Sequence, residues 1–300
     1  MLKIAYDDIY SHPLPLGHRF PMAKYELLPK QLLLEGTVEP ENFFSPSPLS
    51  EKWILQTHNT DYWNHLKNQT LSAKEIRRVG FPLSSALIRR EVLIASGTIA
   101  CCHYALSSGI AMNIAGGTHH AFSDKGEGYC LLNDQAIAAN YLLANDLATK
   151  ILIVDLDVHQ GNGTASIFAY DARVFTFSMH GSANFPYHKE HSNLDIALES
   201  GIDDIAYLTI LYQTLPNLIT DVQPDFIFYL AGVDVLETDK LGKLSLSREG
   251  CRQRDFFTLS QCQKHQIPVV VCLGGGYSER LIDIIEAHAN TFRVARELFF

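Results

Sequence analysis

The chain has 300 residues, 47% hydrophobic and 19% charged, a composition that suits a large buried core and excludes a disordered chain. Its net charge of −9 argues against a protein that lives on the nucleic-acid backbone, where clustered Lys and Arg are needed. No apolar run approaches the roughly 18 residues of a membrane span, and the start Met1-Leu2-Lys3-Ile4-Ala5-Tyr6-Asp7-Asp8 turns acidic where a secretory leader is apolar, so a cytoplasmic enzyme is the expectation.

In chain order, short apolar runs at Leu2–Tyr6, Ile110–Ala115, Ile151–Asp155, Arg173–Ser178, Phe226–Ala231 and Pro268–Leu273 predict strands. Helical stretches at 86–108, 133–147, 203–221, 247–265 and 278–298 alternate with them. Ile151-Leu152-Ile153-Val154 and Val269-Val270-Val271-Cys272 are apolar on both faces, as parallel strands covered on both sides are. In the last helix Leu281, Ile284, Ile285, Ala289, Phe292 and Ala295 recur near helical spacing, with Ser278 as candidate N-cap. Pro46-Ser47-Pro48 predicts a short loop, and 180–201 a longer one of the kind that tends to carry function. No linker, charge run or repeat divides the alternation. The expectation is one domain over residues 1–300, an α/β fold with an open, mostly parallel β-sheet and helices on both faces.

Six cysteines at irregular spacing, with no Cys-x-x-Cys pair, argue against cysteine-held structural zinc. The unusual polar residues collect instead where strands end. Ile110–Ala115 leads to Gly116-Gly117-Thr118-His119-His120, and Ile151–Val154 to Asp155-Leu156-Asp157-Val158-His159-Gln160-Gly161-Asn162-Gly163. Phe226–Leu230 leads to Ala231-Gly232-Val233-Asp234, and Val269–Leu273 to Gly274-Gly275-Gly276-Tyr277. Open α/β sheets bind ligands beyond the carboxyl ends of their strands, so these four clusters are expected to converge.

Residues i and i+2 of an extended segment point the same way, so Asp157 and His159 can grip one ion, with Asp155 in the same parity. Asp155 and Asp157 alone would serve as well as caps of the next turn; Asp234, ending another apolar strand, favours a site. Two Asp and one His leave an open position, the arrangement of a catalytic metal, and suit Zn2+ while accepting Fe2+, Mn2+ or Co2+. His119 and His120 offer proton transfer, with Asp155 and Asn162 as orienting partners. Tyr277, after three glycines, offers a phenol to a developing oxyanion, although an isolated tyrosine is more often structural. His103, His265 and His288 read as ordinary satisfied histidines.

With these residues assembled, the sequence resembles the zinc-dependent histone deacetylase family of the arginase/deacetylase fold. The resemblance is carried by the four clusters, in order, together with Gly128-Tyr129-Cys130-Leu131-Leu132-Asn133-Asp134. Gln160, Asn162, Gly97-Thr98-Ile99-Ala100 and the 239–247 stretch look most like the class IV branch. The resemblance implies that Asp157, His159 and Asp234 bind Zn2+, and that His120 is the base and then the acid. It implies that His119, paired with Asp155, acts electrostatically, and that Tyr277 binds the substrate carbonyl.

It further implies an acyl-lysine tunnel lined by Gly128, Tyr129, Phe185 and Leu241, and an acetate channel with Arg19. A structural K+ site would use Asp155, Asp157, His159, Ser178 and Met179. An ordinary loop anchor is the lesser alternative for Phe185, and a surface arginine an even one for Arg19. Two departures stand out. Asn162 replaces the aspartate that class I relatives give the second histidine, and no acidic substrate-loop residue appears near Arg77-Arg78-Val79-Gly80-Phe81-Pro82. The implied activity is a metal-dependent amidohydrolase acting on acetyl-lysine or longer acyl-lysine in proteins. Acetylpolyamine or small-amide deacetylation, and a catalytically weak acyl-lysine binding module, are the alternatives. Gly161-Asn162, where a further carboxylate ligand would be wanted, points to one catalytic metal rather than two. No nucleic-acid partner and no membrane span are expected.

Overall fold

Runs with no polar face to give to water end up with no face in water. Every residue of strands β3 (Ile110–Asn113), β4 (Ile151–Asp155), β7 (Phe226–Leu230) and β8 (Val269–Cys272) is buried. With β1 (Lys3–Ala5), β2 (Phe43–Phe44), β5 (Val174–Gly181) and β6 (Leu194–Leu198) they build one eight-stranded sheet, in the order β2-β1-β3-β8-β7-β4-β5-β6. These relationships come from a computed structural model describing residues 1–300. All seven pairings are parallel, so the mostly parallel expectation becomes an all-parallel sheet.

Ten helices cover it: α1 (Lys24–Leu34), α2 (Glu51–Leu55), α3 (Thr60–Lys67), α4 (Ala73–Val79), α5 (Ser85–Ser108), α6 (Asp134–Ala144), α7 (Asn162–Phe168), α8 (Asp204–Val222), α9 (Arg248–Lys264) and α10 (Leu281–Phe299). Helix α5 packs on β1, β3 and β8 with α6 against it, while α8, α9, α10 and α1 pack in succession. Local chemistry sets the ends. The Ser84 hydroxyl accepts the Leu87 N–H at 3.1 Å, and Gly109, at φ 86°, closes the same helix.

The register places the site. Asn113 pairs with Cys272, Cys272 with Leu230, Leu230 with Asp155 and Asp155 with Ser178. The four adjacent strands β3, β8, β7 and β4 therefore end in one row, and the four polar clusters leave from neighbouring points of one sheet edge. This is the crevice in which doubly wound sheets bind their ligands.

Three details differ from the sequence expectation. The 180–201 stretch contains β6, a half-buried edge strand paired only with β5, whose polar flanks hide its Leu194, Ile196, Leu198 alternation. Ser278 does not cap α10, which starts at Leu281 after Arg280; its hydroxyl pairs with that of Thr238 at 2.9 Å. Helices α1 to α4 and α7, none longer than 11 residues, and the two-residue strand β2 were not read from sequence.

Candidate active site

The loop after β4 folds back on itself through its own carboxylates. Asp155 accepts the Asp157 N–H at 3.1 Å, and Asp157 accepts the His159 N–H at 2.9 Å. Asp234, from the loop after β7, crosses over to accept the Val158 N–H at 2.9 Å. These bonds aim three side chains at one point. His159 Nδ1 stands 3.0 Å from Asp157 Oδ1 and 3.1 Å from Asp234 Oδ2, and one donor atom from each residue lies within 4.8 Å of the others.

All three side chains are buried. Burial and the charge of Asp157 push the Asp234 carboxyl up to about 7. Burial works against a charged His159, but hydrogen bonds to Asp157 and Asp234 outweigh it and raise the imidazole to about 10. Two buried carboxylates closing on one imidazole are costly alone and are what a divalent cation compensates. The donor set fits Zn2+ or Fe2+.

The histidine pair sits beside this cluster, its rings 4.0 Å apart. His119 Nδ1 is 2.7 Å from Asp155 Oδ2, and His120 Nδ1 is 2.7 Å from Asn162 Oδ1. The two environments separate the rings chemically. Burial disfavours a charged His119, yet the Asp155 and Asp157 carboxylates overcome it and raise the ring above its ordinary value. His120 is driven well below its ordinary value by burial and by its histidine neighbours. Tyr277 follows the glycines after β8, where its N–H donates to Asp239 Oδ2 at 2.5 Å. Burial and the charge of Asp234 keep its phenol protonated.

His119, His120, Asp157, His159, Asp234 and Tyr277 line one cavity of about 290 Å³. Gly128, Tyr129, Phe185 and Leu241 form part of its wall, with Phe185 36% and Leu241 37% exposed where it opens. The Phe185 ring stands 5.0 Å from that of His120 at 87°, and the Tyr129 and Tyr277 rings are 6.0 Å apart. A belt of aromatics around a charged floor suits an apolar stem that carries one polar group.

Comparison with known proteins bears on what such a cavity serves. The histone deacetylase domain matches residues 18–292. The chain belongs to the histone deacetylase family. Among similar proteins, an uncharacterized protein of Picosynechococcus sp. is 44% identical over 296 residues, covering 99% of both chains. Histone deacetylase 2 of Arabidopsis thaliana is 30% identical over 278 residues, 89% of this chain and 72% of its own length. The acetoin utilization protein AcuC of Staphylococcus aureus is 25% identical over 299 residues, 91% of this chain and 77% of its own. The crystal structure of the HDA15 HD domain superposes with a TM-score of 0.81 at 20% identity, over 98% of this chain and 88% of that one, which shows the fold.

Histone deacetylase family membership supports a hydrolase of the deacetylase kind. Of the residues read from sequence, His119, His120, Asp157, His159, Asp234, Tyr277, Gly128, Tyr129, Phe185 and Leu241 meet at the cavity. Asp155 and Asn162 stand behind the histidines. Ser178 and Met179 lie buried in β5 beside Asp155. Arg19 is exposed and does not line the cavity, whereas its neighbour Phe20 does. Three other arginines line the cavity, Arg77, Arg78 and Arg90; Arg90, buried on α5, donates from Nε to the Tyr10 carbonyl at 2.7 Å beside Glu91.

Other contributors went unread. Arg254, fully buried on α9, donates to the carbonyls of Leu156 at 3.1 Å and Gly232 at 2.6 Å, and so ties together the two loops that carry the acidic ligands. Its visible signal was Arg254-Asp255, an adjacent opposite-charge pair inside a helix. All six cysteines are free and buried. His288, expected to be satisfied, is buried with neither ring nitrogen paired.

Proposed function

We propose that the chain is a metal-dependent amidohydrolase that removes acetyl or longer acyl groups from lysine side chains. In this reading residues 1–300 work as one catalytic domain, of the class IV kind, in the cytoplasm. Asp157, His159 and Asp234 would hold Zn2+, with Fe2+ as a substitute; Asp155, Asp157, His159, Ser178 and Met179 would hold a structural K+. When bound, the catalytic ion supplies Lewis acidity toward the acyl carbonyl and makes water a nucleophile near neutral pH.

The observation that carries the reading is the convergence of a three-ligand cluster, two differently tuned histidines and a protonated phenol on one aromatic-walled cavity. His120, held neutral, takes the proton of the attacking water and returns it to the departing lysine amine as the amide C–N bond breaks. His119, whose charged form Asp155 favours, stabilises developing negative charge. The Tyr277 hydroxyl donates to the carbonyl oxygen as it becomes an oxyanion. Tyr129 and Phe185 flank the lysine stem and keep water from its sides.

The cavity wall favours acyl-lysine over an acylated polyamine. Its only carboxylates are Asp157 and Asp234, and it includes Arg77, Arg78 and Arg90, so a second ammonium finds no acidic partner there. The test is a panel of lysine peptides and polyamines carrying acetyl through myristoyl groups, with products read by mass spectrometry. Acyl-lysine turnover that stops on chelation and returns with Zn2+ or Fe2+ is expected. Turnover of polyamines alone, or turnover indifferent to chelation, refutes the reading.

A further inference from the structure

A carboxamide offers an oxygen that accepts and a nitrogen that donates, and its shape alone does not fix which faces a neighbouring ring. For His120 the difference decides the chemistry. An accepting oxygen keeps the ring proton on Nδ1 and leaves Nε2 bare; a donating nitrogen needs a bare Nδ1 and moves the proton to Nε2, which abolishes the base. A carboxylate in place of Asn162 would raise no such ambiguity.

The second partner of Asn162 removes it here. Asn162 Nδ2 donates to Glu127 Oε1 at 2.8 Å, while Asn162 Oδ1 stands 2.7 Å from His120 Nδ1. A carboxylate has only acceptors to offer, so the NH2 group must face Glu127 and the oxygen must face the ring. Glu127 is itself fixed in a turn in which the Cys130 N–H donates to its carbonyl at 2.9 Å, with Gly128 and Tyr129 at φ 56° and 65°. The same turn runs close against the ring: a Cβ on Gly128 would lie 2.6 Å from His120 Cδ2.

We propose that Glu127 is a positioning residue: it locks the carboxamide of Asn162 and, through it, the Nδ1–H tautomer of His120. The inference rests on His120 being the base of the proposed hydrolysis. The chain runs from His120 Nδ1–H to Asn162 Oδ1, then from Asn162 Nδ2–H to Glu127 Oε1. When Nε2 takes a proton, Nδ1 keeps its own and none crosses the amide. Glu127 orients and polarises the chain, supplying one residue farther out the negative charge that Asn162 lacks.

The experiment compares the metal-loaded full chain with Glu127→Gln, Asn162→Asp and the double variant. In Glu127→Gln the glutamine presents either a donor or an acceptor, so the Asn162 amide is free to turn. A kcat at least about tenfold lower is expected, since a misplaced tautomer costs up to about 10⁴-fold, with KM within about twofold and metal content unchanged. Asn162→Asp alone sets two carboxylates face to face and is expected to lose kcat as well. In the double variant the introduced carboxylate accepts from both the His120 ring and the introduced amide, so kcat is expected to rise above either single variant. Nitrogen-15 spectra of the His120 ring are expected to show Nδ1 protonated in the parent and a tautomer mixture in Glu127→Gln. Unchanged kcat and an unchanged tautomer in Glu127→Gln, or a double variant no better than the single variants, overturns the proposal. If the parent hydrolyses nothing in the substrate panel, the functional reading fails, while the ring spectra still decide the lock.

Discussion

Asp157 Oδ2 accepts the backbone N–H of Gly275 at 2.8 Å, which ties the loop after β8 to a carboxylate from the loop after β4. The approach needs a residue without a side chain. A Cβ at position 275 would lie 2.0 Å from Asp234 Oδ2 and 2.8 Å from Asp157 Oδ2. Gly275→Ala is therefore expected to push the two carboxylates apart and weaken metal binding by at least about tenfold, the scale on which groups supporting a metal act. Competition with a chromophoric chelator measures it, and parent-like affinity would show that the loop yields instead.

Tyr277 is held by its backbone bond to Asp239 and by aromatic neighbours, Phe20 and Tyr129, each with ring centroids 6.0 Å away. Removing only the hydroxyl leaves that packing in place. Tyr277→Phe is expected to lower kcat by about 10²- to 10³-fold, the usual cost of an oxyanion donor, with metal content unchanged. Undiminished turnover would remove the phenol from the mechanism.

The unlike tuning of the two histidines predicts an order of damage. His120 is the ring held neutral, so His120→Ala is expected to cost about 10²- to 10⁴-fold near neutral pH. His119→Ala, which removes charge stabilisation rather than the base, is expected to cost less. Steady-state rates at pH 7 on one acyl-lysine peptide decide it, and the reverse order would exchange the two roles.

What was legible in the sequence follows from what leaves a local trace. Fully buried parallel strands are apolar at nearly every position, so β3, β4, β7 and β8 stood out, and the residues just beyond them had to share a sheet edge. That places Asp157, His159, Asp234, His119, His120 and Tyr277 together. Groups recruited from elsewhere in the chain left no such trace. Arg254 acts through carbonyls 98 and 22 residues away, and Arg90 reaches the cavity wall from a long, largely apolar helix. Glu127 matters only because a turn bends it back to Asn162. Arg19 is the converse, a residue with a suggestive neighbourhood in sequence and an exposed place in the fold.

His58 belongs to the unread group and predicts how the protein meets acid. From the turn between α2 and α3, its Nδ1–H donates to the Phe122 carbonyl at 2.9 Å and its Nε2 accepts the Asn133 N–H at 3.0 Å. It thus fastens the loop after the histidine pair to the start of α6. Burial lowers the ring from 6.5 to about 4, so the folded protein holds it neutral where the unfolded chain protonates it. Its contribution is present in full above pH 6.5 and is lost as pH falls to about 4, at about 1.4 kcal/mol per pH unit and about 3 kcal/mol in all. Protonated Nε2 would also no longer accept from Asn133. His58→Gln is expected to be less stable than the parent at pH 7, with the gap closing by about that amount near pH 4. Urea unfolding at a series of pH values measures the gap, and one that stays constant with pH would show that His58 does not titrate on unfolding.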